Sequence, residues 1–182
     1  MDSPTYTKAI ERCLAELQWA QIHRISLQGI EAADPVHHYF LHSTYHALFN
    51  DYLAHCIKVL DLSRGTASFW YIRSVHSARV DGFATKSGFD VAEIREVSER
   101  LRHVRDKTHF HIDKTGVMDT RAIWRDAGIT GKRLATVVDW VWEILNHLQR
   151  ELGLKQVTLP SYSIESAKAA ALAADRSSAG DF

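Results

Sequence analysis

Cysteine is scarce in these 182 residues: Cys13 and Cys56 each sit inside an apolar helical pattern with no CxxC-type partner. That placement supports neither a disulfide framework nor a zinc finger and fits a reducing cytoplasm. Proline is almost as scarce, with only Pro4, Pro35 and Pro160, so a long central stretch lacks the residue that most reliably ends helices. Net charge is absent. The 22 Lys and Arg balance 22 Asp and Glu, which argues against a broad basic surface coating nucleic acid and makes any contact with phosphate local. No segment reaches the ~18–20 uncharged apolar residues of a membrane span. The start MDSPTYTKAIER lacks the basic end and apolar run of a signal peptide, so a cytoplasmic protein without membrane contact is expected. Absent too are the P-loop, GxGxxG, GxSxG, HExxH and EF-hand patterns, which removes phosphate cradles and the common hydrolase and metalloprotease templates.

What is present reads as an ordinary folded chain, with 46% hydrophobic and 24% charged residues. Apolar residues recur at helical spacing over most of it, which predicts an all-α fold: an antiparallel helical bundle with a long second helix. Helix one runs over residues 5–29 on Ile10, Leu14, Leu17, Ile22 and Ile25, with Gly29 as its stop. The second follows Pro35 and carries Phe40, Tyr45, Leu48, Phe49, Tyr52, Leu53, Cys56, Ile57 and Leu60. Thr66 or Ser68 caps a shorter third helix extending to Val80, and residues 82–88 form a connection. Asp90-Val-Ala-Glu93 is a capping box, opening a helix with Val91, Ile94, Val97, Leu101 and Val104 inward. A short helical turn over 119–131 precedes a last core helix over 132–152. Residues 1–160 are expected to form one domain, and 161–182 an alanine-rich accessory helix with a frayed tail.

Histidine is the compositional oddity, with 11 residues. His38, His42 and His46 recur every four residues on one helical face beside His37, a spacing that places imidazoles side by side as zinc ligands can be. No fixed carboxylate or cysteine accompanies them in sequence, so ordinary surface or interface histidines are the simpler reading, and no cofactor is expected. Asp51 and His55 form a further, weak i, i+4 pair. Trp19, Trp70, Trp124, Trp140 and Trp142 read as core or interface anchors rather than stacking platforms. The most basic window is residues 100–114, with five cations (Arg100, Arg102, Arg105, Lys107, Lys114) against Asp106 and Asp113, and with His103, His109 and His111. On charge alone this is a solvated helix end favoured by the helix dipole.

The run Arg105-Asp106-Lys107-Thr108-His109-Phe110-His111-Ile112-Asp113 resembles the signature of the HEPN superfamily (higher eukaryotes and prokaryotes nucleotide-binding): arginine, a polar residue, a four-residue spacer and histidine. Its Arg-Asp-Lys start and His-x-Asp end are most similar to the abortive-infection type U branch. Two other segments agree in position: the long helix ending in Asp61-Leu62-Ser63-Arg64, and Trp124-Arg125-Asp126-Ala127-Gly128-Ile129-Thr130 before the last core helix. The resemblance covers about residues 40–150. Phe110 stands where relatives carry a small residue.

The resemblance implies a dimeric, metal-independent ribonuclease, a toxin or phage-defence effector of a prokaryotic cytoplasm, with RNA as substrate and an antitoxin or regulatory protein as a further partner. Arg105 and His111 would then be catalytic, with Asp106 supporting them, and Arg102, Lys107, His109 and Lys114 would hold flanking phosphates. The chemistry suits the residue types. Histidine titrates near neutrality and moves a proton during attack by a ribose 2′-OH, and a guanidinium fork meets the charge that develops on the phosphorane. Helical geometry leaves two registers open. At ~100° per residue, Arg105 and His111 are about 120° apart around a continuous helix, but Arg105 and His109 about 40° and Arg102 and His109 about 20°. Two alternatives of other classes stand beside the nuclease: a non-catalytic module using the same residues to bind a nucleotide or protein, and a metal-binding helical protein using His38, His42 and His46.

Overall fold

The computed structural model of the chain describes residues 3–34, 39–108, 120–159 and 161–178. Among them the regular secondary structure is helix alone: α1 (Pro4–Ala33), α2 (Tyr39–Leu60), α3 (Phe69–Val75), α4 (Ser77–Lys86), α5 (Val91–Thr108), α6 (Thr120–Ala127), α7 (Gly131–Glu151) and α8 (Ile164–Ser178). The all-α expectation holds, and no helix among the described residues is long and apolar enough to cross a membrane.

The helices fall into two compact units. The first contains residues 1–14 and 57–156: the start of α1, the end of α2, and α3 to α7. Here the apolar periodicity translates directly into burial, because an amphipathic helix gains most of its stability from the face it removes from water. Ile94, Val97, Leu101 and Val104 of α5 are buried, as are Leu134, Val137, Val138, Val141, Ile144, Leu145 and Leu148 of α7. Each such side chain contributes on the order of 1.5–3 kcal/mol of burial free energy. Helix α5 packs against both α6 and α7, and α4 against α7. Thr130 caps α7 by accepting from the Arg133 backbone N–H at 3.1 Å.

Several local expectations change. The third helix divides at His76, whose backbone (φ −137°, ψ 58°) ends α3 and starts α4, and α4 then runs through Gly82 to Lys86 instead of stopping at Val80. Val80 and Ala84 are fully buried, which outweighs the helix penalty of about 1 kcal/mol at Gly82. Arg73 and Asp81 span the break with two 2.8 Å hydrogen bonds. Ser68 occupies the cap position of α3 without capping it, since its hydroxyl donates to the Asp61 carbonyl at 2.6 Å. Half of the capping box forms. Asp90 accepts from Ala92 N–H at 2.8 Å, whereas Glu93 turns to Arg133 of α7, accepting from Nη2 at 2.8 Å.

The second unit contains residues 15–56 and 157–182. Gly29 is not a helix stop here; α1 continues four residues further, to Ala33. A Cβ on Gly29 would lie 2.3 Å from the Ala167 Cβ and 2.8 Å from backbone atoms of α8, so glycine is what lets two helices approach this closely. The alanines of α8 serve the same contact, and Ala171 is buried with Ile30 of α1 and Leu41 of α2. Phe40 and Tyr39, at the start of α2, are exposed rather than inward. Ile22 and Ile25 are only half-buried, while Glu16, Gln21 and His23 of α1 are buried. Helix α1 therefore buries polar residues where apolar ones are available.

In the first unit Arg133 also meets Glu96 at 3.0 Å, and Arg100 joins Glu96 (2.6 Å) to the Ala127 carbonyl (2.7 Å). Hydrogen bonds from Arg133 hold the Glu93 carboxyl below the usual glutamate range, and those from Arg133 and Arg100 do so for Glu96. Groups whose pKa is lowered by folding stabilise the fold above their unfolded value and lose that contribution as pH falls through the lower folded value. Urea unfolding between pH 7 and pH 3 is accordingly expected to show a shallower acid loss of stability in Glu93→Gln than in the wild type; parallel curves would contradict the pairing. Gly128, at φ +61° and with Arg100 Nη1 only 2.5 Å from where a Cβ would stand, predicts that Gly128→Ala lowers stability by about 1–2 kcal/mol in the same measurement.

Candidate functional site

The last two turns of α5 put Arg102, Arg105 and Asp106 within one helical patch, because residues three and four apart are neighbours on a helix. Arg105 is held from its own helix. Its Nε and Nη2 both lie 2.8 Å from Asp106 Oδ1, and the side chain is only 21% exposed. Arg102 Nε stands 3.8 Å from Asp106 Oδ2, so Asp106 lies between the two guanidinium groups. The third wall comes from the end of α2, more than forty residues earlier in the chain. Asp61 Oδ1 lies 3.8 Å from Arg105 Nη1, and the same oxygen accepts from the backbone N–H and hydroxyl of Ser63 at 3.0 and 2.8 Å. That Asx turn fixes Asp61 as the chain leaves α2.

These groups border a shallow depression floored by Ile57, Leu60 and Leu101, with Ser98, Asp61, Arg102 and Arg105 around it. Ser98 is buried and donates to the Ile94 carbonyl at 2.8 Å while accepting from Trp70 Nε1 at 3.1 Å. Trp70 is half-buried, with Arg73 and Arg95 6.0 and 5.8 Å from its ring centre. Its polar edge and its ring are thus both engaged within the protein. Two guanidinium groups and two carboxylates balance each other around the depression. Among the described residues, the carboxylate recorded against Arg105 Nη1 is that of Asp61, at 3.8 Å and beyond hydrogen-bond length.

The residues expected to act therefore divide. Arg102, Arg105 and Asp106 come together, and Lys107 is half-buried one position further along α5. His109, His111 and Lys114 lie outside the described residues, as does His38. His42 and His46 are exposed on α2 with stacked rings 4.5 Å apart, and no third ligand completes a set around them among the described residues. Trp19 is 52% exposed and so is no core anchor; Trp70, Trp124, Trp140 and Trp142 are half-buried.

A second constellation went unread in the sequence. The weak pair Asp51 and His55 of α2 is joined by His23 of α1, and one ligand atom from each lies within 4.8 Å of the others. Burial lowers the pKa of His23, with His55 adding to that effect and Asp51 opposing it. The available signal was the inversion of burial on α1, which cannot be read without knowing which face is covered.

Comparison with known proteins adds no relative: no family model, no curated protein and no solved structure matches the chain. The Asp61–Arg105 contact is long and partly solvated, so a double-mutant cycle of Asp61→Asn and Arg105→Gln, read by urea unfolding, is expected to give a coupling of only about 0.2–1 kcal/mol. A coupling of several kcal/mol would mean that the two groups form a close, desolvated pair.

Proposed function

We propose that the chain is a HEPN-type, metal-independent endoribonuclease, acting as a toxin or phage-defence effector on cytoplasmic RNA and working as a homodimer under the control of an antitoxin or regulatory partner. The observation that carries the reading is the approach of Asp61, held by Ser63, to Arg105, which Asp106 pairs beside Arg102, since these come from two of the segments on which the resemblance rests. Asp106 engages Nε and Nη2 of the Arg105 fork, and in this reading Nη1 meets a phosphate oxygen. Arg102, 63% exposed, stands beside it for a neighbouring phosphate.

In this reading His111, or His109 in the alternative register, accepts the proton of a ribose 2′-OH. The 2′-oxygen bonds to the adjacent phosphorus, and the bond from phosphorus to the 5′-oxygen breaks. The 5′-oxygen takes a proton, leaving a 2′,3′-cyclic phosphate and a 5′-hydroxyl. Arg105 neutralises the additional charge of the phosphorane, an interaction realised only in the transition state. Lys107 and Lys114 contribute local positive charge, and the neutral remainder of the chain limits contact to a short RNA segment.

One observation favours a second reading, a non-catalytic module that binds a nucleotide or a protein partner. Asp61 and Asp106 already compensate both arginines, and two carboxylates oppose a phosphate unless one of them is displaced. Cleavage of labelled RNA in EDTA separates the two. The wild type should yield a 2′,3′-cyclic phosphate, and Arg105→Ala and His111→Ala, once circular dichroism shows that they fold, should lose about 10²-fold or more in rate. No cleavage of varied RNAs by well-folded wild type would transfer the assignment to the binding module.

A further inference from the structure

His23 of α1 is nine-tenths buried, yet its Nδ1 makes no hydrogen bond. An unsatisfied buried nitrogen is costly, and native structures carry few of them. Asp51 Oδ2 lies 3.5 Å away and does not satisfy it. The same oxygen lies 3.8 Å from His55 Nε2, and one ligand atom from each of the three residues lies within 4.8 Å of the others. His55 Nδ1 is 2.6 Å from Oε2 of Glu16, a carboxylate that is itself buried.

An ionised Glu16 carboxylate accepts from His55 Nδ1, and in that tautomer of the neutral ring Nε2 carries the lone pair. His23 Nδ1 and Asp51 Oδ2 both lie within 4.8 Å of that nitrogen. With the His23 proton on Nε2, three Lewis-basic atoms face one another here, an arrangement that a cation among them would relieve. A carboxylate behind one imidazole, with the far nitrogen free, is also the arrangement that orients histidine as a metal ligand. Atoms bound tetrahedrally at about 2.0–2.1 Å from one zinc ion lie about 3.3 Å apart, close to the 3.5 and 3.8 Å found here. Asp51 is 60% exposed, so an ion can reach this ligand from solvent.

We infer that His23, Asp51 and His55 form a binding site for a single divalent transition-metal ion of the zinc class, with Glu16 positioning His55. Three protein donors of the His, His, carboxylate type with one open position suit zinc, and a bound ion ties α1 to α2 within the second unit. The site shares no residue with the arginine corner of α5, and the inference does not rest on the nuclease reading. It also differs from the regular series His38, His42 and His46, in which only the i, i+4 repeat suggested a metal.

The test is titration of the EDTA-treated, desalted full-length protein with Zn²⁺ by calorimetry and with Co²⁺ by visible absorption. The expected result is one ion per chain and the absorption of four- or five-coordinate cobalt. His23→Gln, His55→Gln and the surface variant Asp51→Asn should each weaken binding tenfold or more. Glu16→Gln should retain the stoichiometry with an affinity about 10–100-fold lower, and His42→Gln with His46→Gln should leave it unchanged. Because Asp51 is exposed, Asp51→Asn keeps the test decisive if a core histidine variant fails to fold. The inference is overturned if folded wild type binds no stoichiometric Zn²⁺ or Co²⁺, if full affinity survives Asp51→Asn, or if binding is lost only with His42 and His46.

Discussion

The placement of α5 is the constraint on which the arginine corner depends, and two kinds of force set it. Ile94, Val97, Leu101 and Val104 supply the larger part of the free energy, since each removes an aliphatic side chain from water. Their periodicity alone leaves the axial position of the helix loosely determined, because apolar contacts are non-directional. Arg133 adds direction: it engages both Glu93 and Glu96 from α7, while Arg100 reaches the Ala127 carbonyl at the end of α6. Such half-exposed ion pairs contribute modestly to stability. Their consequence is register, and a helix held in register presents Arg102, Arg105 and Asp106 to the end of α2.

The corner itself illustrates how a charged group can be restrained without being consumed. Both Nε and Nη2 of Arg105 meet one oxygen of Asp106, so the guanidinium plane is fixed by a neighbour one residue away. A preorganised fork loses less side-chain entropy when a ligand arrives than a freely moving one does. Asp61, fastened by its turn to Ser63, adds a longer-range attraction at 3.8 Å and keeps the other edge of the fork facing the depression. The balance of two arginines against two carboxylates also agrees with the neutral chain as a whole: attraction for an anion here arises from geometry rather than from excess charge.

The second unit follows a different economy. Its helices approach through small residues, Gly29 against Ala167 and Ala171 near Ile30, so little aliphatic volume is available for burial. Alongside these, α1 buries Glu16, Gln21 and His23. Interior polar residues cost free energy unless they are paired. Glu16 is paired with His55, and Tyr45, hydrogen-bonded to Glu31, has its phenol pushed up to about 12 chiefly by burial. His23 is the member whose nitrogen the protein leaves unsatisfied, which is why it, rather than the more conspicuous histidine series on α2, identifies a ligand site.

How far the sequence could be read depended on the range of the interaction concerned. Apolar periodicity, the scarcity of proline and local caps act within a few turns, and they predicted the helical class and most of the buried face of α5, along with the approximate extent of every helix except the pair divided at His76. Arg102, Arg105 and Asp106 were legible as neighbours because three- and four-residue spacings are set by helix geometry alone. That Asp61 meets Arg105, that Glu93 leaves its own cap for Arg133, and that Gly29 is a contact rather than a stop were decided by tertiary structure, since each depends on an element distant in the chain. The burial of His23 in preference to Ile22 and Ile25 was decided the same way: periodicity names the face a lone helix would bury, and only the packed neighbours determine the face it does bury.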